Sequence, residues 1–365
     1  MKPFYSIILA GYQNEPYLQK SLDSVANQTF PDFEAICYVE ESTDRSLEIC
    51  QNMAKRDSRF IVATGPKSGG VGATRNYGID HASGEYLVVL DGDDWIMPDM
   101  LEKLADKLKQ TGPLDVLAFA AVGTDCEEID LAQAERISAF SEADMNDVFT
   151  GLDAVRRAGK LIQNKNAFHN FTWLNIYRLD FLREHHLYQT TKIMEDFEST
   201  PRIWYHAKRM AYLDEPLYVY RHRPRSLTTE KSFRLLYDLA DQTRSLFSFA
   251  TATPIPDDVL SVWSNQWISF LYLFLFYPTP SSAYSTAEIK QALKILFAGD
   301  GLSHFMQVLS HASRMKRMTK PLILLAAKGW LFPAVFFFHR IYYPMSTWRW
   351  KRISRQSRAM AEKES

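Results

Sequence analysis

The segment that decides the fold is EYLVVLDGDDWIMPDMLEKL, residues 85–104. Its apolar run at 86–90 predicts a buried strand, and three carboxylates follow within four residues, Asp91, Asp93 and Asp94. Ligands of open α/β sheets bind at the carboxyl ends of strands. Because neighbouring carboxylates repel one another, the segment predicts a site for a divalent cation, Mn²⁺ or Mg²⁺, since both prefer oxygen ligands. An aspartate-rich turn that caps the next helix is the alternative.

Upstream of this segment, apolar runs alternate with helix-like segments. Strands are predicted at 4–10, 33–39, 60–64 and 85–90, and helices at 15–28, 42–56 and 72–82. This alternation is typical of a parallel sheet with crossover helices, so we expect an α/β fold. Downstream, 116–122 predicts one more strand, and the acidic stretch 125–147 predicts a surface loop or an edge of the sheet.

The rest of the chain differs in character. Residues 151–230 mix short helices with aromatic and charged residues, and we expect this region to be too polar for the core of a sheet. Beyond it the chain is predicted to be helical. The aromatic run at 267–277 is shorter than the ~20 apolar residues that a membrane span requires, so it indicates a buried or interfacial helix.

A glycine-rich turn at 67–72 leads into the helix predicted at 72–82. The backbone N–H groups of such a turn and the positive end of the helix can approach an anion, and Arg75 adds a fixed positive charge. The spacing of the glycines does not fit a dinucleotide-binding or P-loop fingerprint. A plain turn is the alternative for this loop.

Five motifs, taken in order, resemble those of the family-two inverting glycosyltransferases of the bacterial polysaccharide-assembling type, which have a GT-A fold. They are SIIL at 6–9, YQNE at 12–15, EESTD at 40–44, GVGATRNYG at 70–78 and LDGDDW at 90–95. Each motif alone is degenerate, whereas five in this order are specific, and the resemblance extends to residue 230. It implies a Rossmann-like mixed sheet with flanking helices, followed by a helical C-terminal region.

The resemblance also implies roles for the matching positions. Asp93 would bind the metal that bridges the diphosphate of a sugar nucleotide, and Asp91 would lie near the ribose or the metal. The donor would contact Ala10, Tyr12, Asn14, Glu15, Glu40, Glu41, Gly70, Arg75, Asp91 and Gly92. Glu40 and Glu41 replace the two aspartates that are usual in the family. Because a longer carboxylate reaches a uracil N–H differently, the identity of the base is less fixed than the fold.

A second acidic motif, KIMEDFES at 192–199, resembles the ED motif of the same family. The resemblance implies that Asp196 is the general base, which takes a proton from the acceptor hydroxyl while that oxygen attacks opposite the leaving diphosphate. Glu195 would share the catalytic site and position its neighbour. The alternative is that both residues only form the acidic first turn of a helix.

Two flanking segments resemble further parts of the family. TWLNIYR at 172–178 corresponds to an acceptor-side segment, in which Trp173 would stack on a sugar and Asn175 would lie beside it. A core position is the alternative for the tryptophan. YVYRHRPRS at 218–226 carries Arg221 and Arg223, which would close over the donor pyrophosphate. A basic surface turn is the alternative for the arginines.

Charge is divided unevenly along the chain. The net charge is −1, yet residues 311–365 carry twelve Lys and Arg against two Glu. Basic clusters flank an apolar stretch at 321–338, in which Lys328 and Pro333 disfavour a full membrane span. Basic residues with tryptophan and tyrosine are typical of a segment in the headgroup layer of an anionic membrane. A helical pair packed on the protein is the alternative, and the apolar block argues against nucleic acid as a partner.

Cysteine usage and the first residues bear on the compartment. Cys37, Cys50 and Cys126 form no CxxC pattern and support neither a disulfide framework nor a zinc site, which favours a reducing cytosol. The opening residues, MKPFYSIILAGYQNE, predict a strand rather than a signal peptide.

We therefore expect a cytoplasmic enzyme, peripheral on the inner face of the cell membrane. It would transfer a sugar from a nucleotide donor, with UDP as the expected nucleotide, to a hydroxyl of a lipid-linked or cell-surface glycan. Its parts would be a nucleotide-sugar-binding half at 1–115, an acceptor-binding and catalytic-base half at 116–230, a helical region at 231–310 and the tail at 311–365. The alternatives are a non-catalytic GT-A-like scaffold that binds sugar nucleotides and a metal-dependent phosphoryl-transfer enzyme.

Overall fold

The computed structural model describes residues 2–68, 70–125, 129–131, 134–138, 140, 147–162, 171–190, 193–223, 233–276 and 286–311. The chain divides into two compact units, Met1–Glu230 and Lys231–Ser365. Cys126 and residues 312–365, which include nearly all of the basic tail, lie outside the described residues.

The first unit is built on one mixed sheet of nine strands among the residues described. The strands are β1 (Tyr5–Gly11), β2 (Phe33–Glu40), β3 (Phe60–Gly65), β4 (Tyr86–Asp91), β5 (Trp95–Ile96), β6 (Val116–Thr124), β7 (Glu135–Ile137), β8 (Asn175–Arg178) and β9 (Met210–Arg221). Their order is β3-β2-β1-β4-β8-β6-β9-β5, with β7 paired to β6. The first four strands of this order are parallel, and β8 runs antiparallel to both of its neighbours.

Helices connect the strands. In the first unit they are α1 (Glu15–Ala26), α2 (Ser46–Arg56), α3 (Gly72–His81), α4 (Met100–Thr111), α5 (Gly151–Ile162), α6 (Leu179–Glu184) and α7 (Glu195–His206), with a short 3-10 turn at Thr172–Leu174. The second unit contains α8 (Phe233–Ala252), α9 (Asp257–Phe276), α10 (Thr286–Leu296) and α11 (Gly301–His311).

Continuous apolar runs place β1 and β4 at the centre of the sheet. Every residue at 5–9 and at 86–90 is at most 2% exposed, as expected for parallel strands covered on both faces. Helix α1 buries Leu18, Leu22 and Val25, which lie on one face because their spacing follows the helical repeat. The predicted βα units are thus present, with helix ends that differ by a few residues.

The prediction that residues 151–230 are too polar for the sheet is wrong. β8 lies between β4 and β6, and β9 pairs in parallel with β6 from Val116 opposite Met210 to Thr124 opposite Arg221. The charged middle of β9 does not prevent this, because Asp214 pairs with Arg136 and Glu215 with Lys103 where both pairs are partly exposed.

The second unit packs an aromatic core. Phe247, Trp263, Trp267 and Phe305 are all fully buried, and their rings contact one another. The buried Trp267 belongs to the run at 267–277, and the remaining side chains of that run lie outside the described ones. Within the part of the chain that the structure describes, no helix is long and apolar enough to cross a bilayer.

Candidate active site

The carboxyl ends of β1, β2 and β4 meet at one edge of the sheet. The chain adds β2 and β3 on one side of β1 and β4 on the other, so the strand order reverses between β1 and β4. Ala10 of β1 lies opposite Asp91 of β4 at this point. Open α/β sheets bind ligands at such a reversal, and the predicted donor and metal residues cluster there.

Gly92 allows the turn after β4 to approach the end of β1. A Cβ atom at this position would lie 2.3 Å from the carbonyl oxygen of Ala10 and 3.2 Å from Nδ2 of Asn14. Asn14 is itself buried, and its Oδ1 accepts a hydrogen bond of 3.0 Å from the backbone N–H of Tyr12. The structure therefore brings four predicted donor residues, Ala10, Tyr12, Asn14 and Gly92, together at the end of β1.

The turn at 91–94 that follows β4, named the acidic turn, is held in place by Asp94. It is 1% exposed, and its carboxylate accepts hydrogen bonds from the hydroxyl of Tyr218 at 2.7 Å and from the backbone N–H of Arg221 at 2.8 Å. The same hydroxyl accepts a hydrogen bond from the backbone N–H of Asp91. Burial raises the pKa of Asp94 well above its usual range, and the charges of Asp93 and Asp91 raise it further. This residue ties the turn to β9.

Asp91 and Asp93 keep partly exposed carboxylates. Oδ1 of Asp91 lies 3.3 Å from Nη2 of Arg75, and Oδ2 of Asp93 forms an ion pair of 2.6 Å with Nε of Arg223. Burial raises the pKa of Asp91, Arg75 opposes this rise, and Asp93 adds to it. These two carboxylates are therefore the groups of the turn whose oxygens can bind a metal ion.

The two carboxylates fit a cation of the Mg²⁺ or Mn²⁺ type. Proteins often hold such a cation through one or two carboxylates and complete its shell with water and ligand phosphates. In the described part of the chain, no cluster of three or more His, Cys, Asp or Glu forms a complete metal site. A cation at Asp91 and Asp93 would therefore need phosphate oxygens or water as further ligands, and it would compete with Arg223 for Asp93.

Arg75 occupies a different place from the one predicted. Its side chain is 2% exposed, and its guanidinium contacts Asp91, Glu195 and Asp196 as well as Oε1 of Gln189. Burial lowers the pKa of Arg75, but the three carboxylates outweigh this effect and raise it. The residue is thus a buried cross-link between the acidic turn and α7, which corrects its predicted role as a group that fixes the nucleoside.

The ED motif forms the first turn of α7. Met194, which precedes it, has a left-handed backbone with φ 66°, an uncommon conformation for a residue other than glycine. Glu195 is buried, which raises its pKa to about 8, while Arg75 opposes and Asp196 supports the rise. Asp196 is 19% exposed, and its Oδ1 accepts hydrogen bonds from Thr172 Oγ1 and from Arg75.

Glu40 is not the free carboxylate that was expected to contact the nucleotide base of the donor. It is 6% exposed and accepts hydrogen bonds from both the hydroxyl and the backbone N–H of Ser68, so it anchors the loop that leads to Gly70. Glu41 is exposed. Nζ of Lys67, on the glycine-rich loop, donates a hydrogen bond to the hydroxyl of Tyr12. This contact brings the loop to the end of β1.

Glu15 lies at the start of α1 and contacts the segment after β2. Its backbone N–H donates to Asp44 at 2.9 Å, and its carboxylate accepts from the backbone N–H of Arg45 at 3.0 Å. Asp44 also accepts from Ser42 and from the backbone N–H of Ser46. Glu15 therefore connects the loops that follow β1 and β2.

Arg221 and Arg223 reach the acidic turn from the end of β9. Nε of Arg221 donates to the carbonyl oxygen of Asp93 at 2.9 Å, and its guanidinium lies over the rings of Tyr17 and Trp95 at 4.9 and 4.6 Å. These contacts hold a positive charge beside the carboxylates. The structure brings both arginines to Asp93, and their contact with the donor pyrophosphate stays a prediction.

The predicted acceptor residues lie in the core. Trp173 is 3% exposed, and its ring stacks on Phe171 at 4.9 Å and on Tyr218 at 4.5 Å. Asn175 is also 3% exposed and donates to the carbonyl oxygen of Phe171. Both side chains are enclosed, so neither is available to a sugar. The prediction that Trp173 and Asn175 contact the acceptor is therefore wrong.

Sequence reasoning missed several residues of the site. Thr172 and Gln189 contact Asp196 and Arg75, and Tyr218 fixes Asp94. More than a hundred residues separate Gln189 from Arg75 and Tyr218 from Asp94, so no local pattern connects them.

Residues 6–185 match the family model described as Glycosyl transferase family 2. The chain is 30% identical over 230 residues to the uncharacterized glycosyltransferase EpsJ of Bacillus subtilis, covering 62% of this chain and 64% of EpsJ. It is 39% identical over 99 residues to a poly(ribitol-phosphate) beta-glucosyltransferase of Bacillus spizizenii, covering 26% of this chain and 16% of that relative. The chain thus spans less than two thirds of the length of these curated relatives.

Among solved structures, S. aureus TarS 1-349 in complex with UDP-GlcNAc is similar with a TM-score of 0.71. The two chains are 20% identical, and the match covers 93% of this chain and 92% of that one. Similarity at this level of identity concerns the fold. The mixed sheet with flanking helices and a helical C-terminal region, predicted from the sequence, is confirmed.

Proposed function

We propose that the protein is a metal-dependent inverting glycosyltransferase, on the premise that residues 6–185 match the family model described as Glycosyl transferase family 2. The observation that carries this proposal is the buried guanidinium of Arg75, which contacts both Asp91 of the acidic turn and Asp196 of α7. A carboxylate suited to hold a metal and a carboxylate suited to act as base are therefore joined at one site.

The proposed reaction assigns a separate task to each side of the site. Asp196 takes the proton of an acceptor hydroxyl, whose oxygen forms a bond to the anomeric carbon as the bond from that carbon to the diphosphate breaks. Arg221 and Arg223 lie at the acidic turn and offer positive charge to the departing diphosphate. Mn²⁺ or Mg²⁺ held by Asp91 and Asp93 would supply Lewis-acid stabilisation of the same charge.

The donor is proposed to be a UDP-sugar, and the acceptor a glycan hydroxyl. A solved structure of similar fold contains UDP-GlcNAc, and one curated relative is a poly(ribitol-phosphate) beta-glucosyltransferase. Tyr12 and Lys67 contact each other after the ends of β1 and β3, and the nucleoside is proposed to bind beside them. A thermal-shift screen of nucleotide sugars with and without Mn²⁺ identifies the donor, because a ligand of the native state raises its stability.

A transfer assay with the donor so identified tests the activity. We expect Asp196→Asn to lower kcat by about 100- to 10,000-fold, since a positioned general base contributes on that order. Asp106→Asn is the matched control, because this exposed aspartate on α4 pairs only with Lys109 among the described contacts. Wild-type transfer by Asp196→Asn contradicts the proposal. Donor binding without turnover would indicate a scaffold, and release of nucleoside monophosphate with sugar phosphate would indicate phosphoryl transfer.

We also propose that the tail at 311–365 holds the enzyme on the inner face of the cell membrane. Its twelve basic residues and its aromatic residues support attraction to an anionic surface, at about 1 kcal/mol for each basic residue near the lipid. Cosedimentation with anionic vesicles is expected for the full chain and not after removal of 311–365. Neutral vesicles serve as the control, and equal cosedimentation of the truncated chain contradicts the proposal.

A further inference from the structure

The carboxylate of Asp196 is held through one of its two oxygens. Thr172 Oγ1 donates to Oδ1, and Nη1 of Arg75 lies 3.1 Å from the same atom. Apart from the adjacent Glu195, whose carboxyl also hydrogen-bonds the side chain of Asp196, no residue that the structure describes donates a hydrogen bond to Oδ2. The two oxygens of this side chain therefore have different surroundings.

Thr172 is itself fixed in place. It is 1% exposed and begins the 3-10 turn at 172–174, and its carbonyl oxygen accepts a hydrogen bond of 2.9 Å from the hydroxyl of Tyr177. Its branched Cβ restricts the rotation that would move the hydroxyl away. The position of Oγ1 is thus set by the sheet, because Tyr177 belongs to β8.

Gln189 joins the two donors to Oδ1. Its Oε1 accepts from Nη1 of Arg75 at 3.1 Å, and its Nε2 lies 3.4 Å from Oγ1 of Thr172. Its backbone is anchored on α3, since its N–H donates to the side chain of Asn76 at 2.7 Å and its carbonyl oxygen accepts from the same side chain at 2.8 Å. The arrangement around Oδ1 is a connected network of buried groups.

We propose, on the basis of the proposed function, that Thr172 is a positioning residue for the base. The terminal torsion of an aspartate is broad, so the side chain alone does not fix which oxygen faces the acceptor. An oxygen that already accepts from a guanidinium and a hydroxyl has less capacity for a further proton than its neighbour. The hydrogen bond from Thr172 turns the carboxylate of Asp196 so that Oδ2 receives the proton of the acceptor hydroxyl.

Kinetics of three variants test this role. Thr172→Val replaces the hydroxyl with a methyl group of similar size, and Thr172→Ser keeps the hydroxyl. Thr243→Val is the matched control, because this buried threonine on α8 donates to the carbonyl oxygen of Leu239 and contacts no site residue among those described. We expect Thr172→Val to lower kcat by about 10- to 100-fold, with KM for the donor and the donor Kd within about twofold of wild type.

The serine variant separates positioning from folding. We expect Thr172→Ser to restore kcat to within about threefold of wild type, because the hydroxyl remains. If Thr172→Val does not fold, Thr172→Ala replaces it in the comparison with Thr172→Ser, since these two variants differ only in the hydroxyl. A kcat that does not depend on the hydroxyl, or a loss confined to donor binding, overturns the proposal. An inactive wild type with every donor and acceptor would instead count against the proposed function.

Discussion

Replacing the buried Arg75 by methionine is expected to destabilise the protein strongly. Methionine keeps an unbranched apolar stem but removes the guanidinium, and with it the charge that faces Asp91, Glu195 and Asp196. Removing one partner of a buried ion pair costs about 3–5 kcal/mol, because it leaves uncompensated charge in the interior. The three carboxylates do not triple this cost, since burial already raises the pKa of Glu195 in the wild type.

The destabilisation is also expected to depend on pH. Loss of the cation raises the pKa values of Asp91 and Glu195 further, so the folded variant binds more protons than its unfolded chain. A carboxyl whose folded pKa is raised stabilises the fold below its unfolded value of 4.5 and loses that contribution as pH rises through the folded value. The difference between wild type and Arg75→Met should therefore grow as pH rises above about 8, where Glu195 ionises in the folded wild type but stays protonated in the folded variant.

Equilibrium urea unfolding of the full chain at several pH values measures this effect. Lys109→Met is the control, because Lys109 is exposed and pairs with Asp106 at the surface, where an ion pair is worth at most about 1 kcal/mol. At high pH, Arg75→Met combined with Glu195→Gln should be less destabilised than Arg75→Met alone, since one uncompensated carboxylate is removed. A midpoint equal to that of wild type, or a loss that does not vary with pH, would refute the reasoning.

Three further changes probe the acidic turn. Tyr218→Phe removes the hydroxyl that donates to the buried Asp94 and should cost about 1–3 kcal/mol in urea unfolding; an unchanged midpoint would show that this bond carries no net stability. Asp93→Asn should leave the apo protein folded but abolish the Mn²⁺-dependent part of the thermal shift produced by a nucleotide sugar, so a retained Mn²⁺ effect contradicts its role. Gly92→Ala places a Cβ 2.3 Å from the carbonyl oxygen of Ala10, and the backbone shift this requires should destabilise the protein by about 1–3 kcal/mol, as differential scanning calorimetry can detect.

Part of the site could be located from the sequence because the relevant information is local. The apolar run before Asp91 predicts a strand end, and parallel strands with crossover helices bring their carboxyl ends to one edge. The structure places Asp91 opposite Ala10 at that edge, and Arg221 and Arg223 reach it from β9. The match of residues 6–185 to a glycosyl transferase family model agrees with the motifs read in order.

Other features were set by contacts between distant parts of the chain. The composition of residues 151–230 predicted a region too polar for the core of a sheet, yet β8 and β9 both join the sheet. There the hydrogen bonds of β4 and β6 and the ion pairs of Asp214 and Glu215 compensate their polar groups. Trp173 lies in the same region, and its burial against Phe171 and Tyr218 follows from the position of β9.

The sequence by itself determined the α/β order of the first unit, the strand end that carries the acidic turn, and the family resemblance, because these depend on the periodicity and spacing of neighbouring residues. Only the tertiary structure decided how the charges are used. The family resemblance implied that Arg75 contacts the donor, but its side chain is enclosed by carboxylates from β4 and α7. A guanidinium reaches whichever carboxylates the fold places within about 3 Å, and that distance is set by packing rather than by position along the chain.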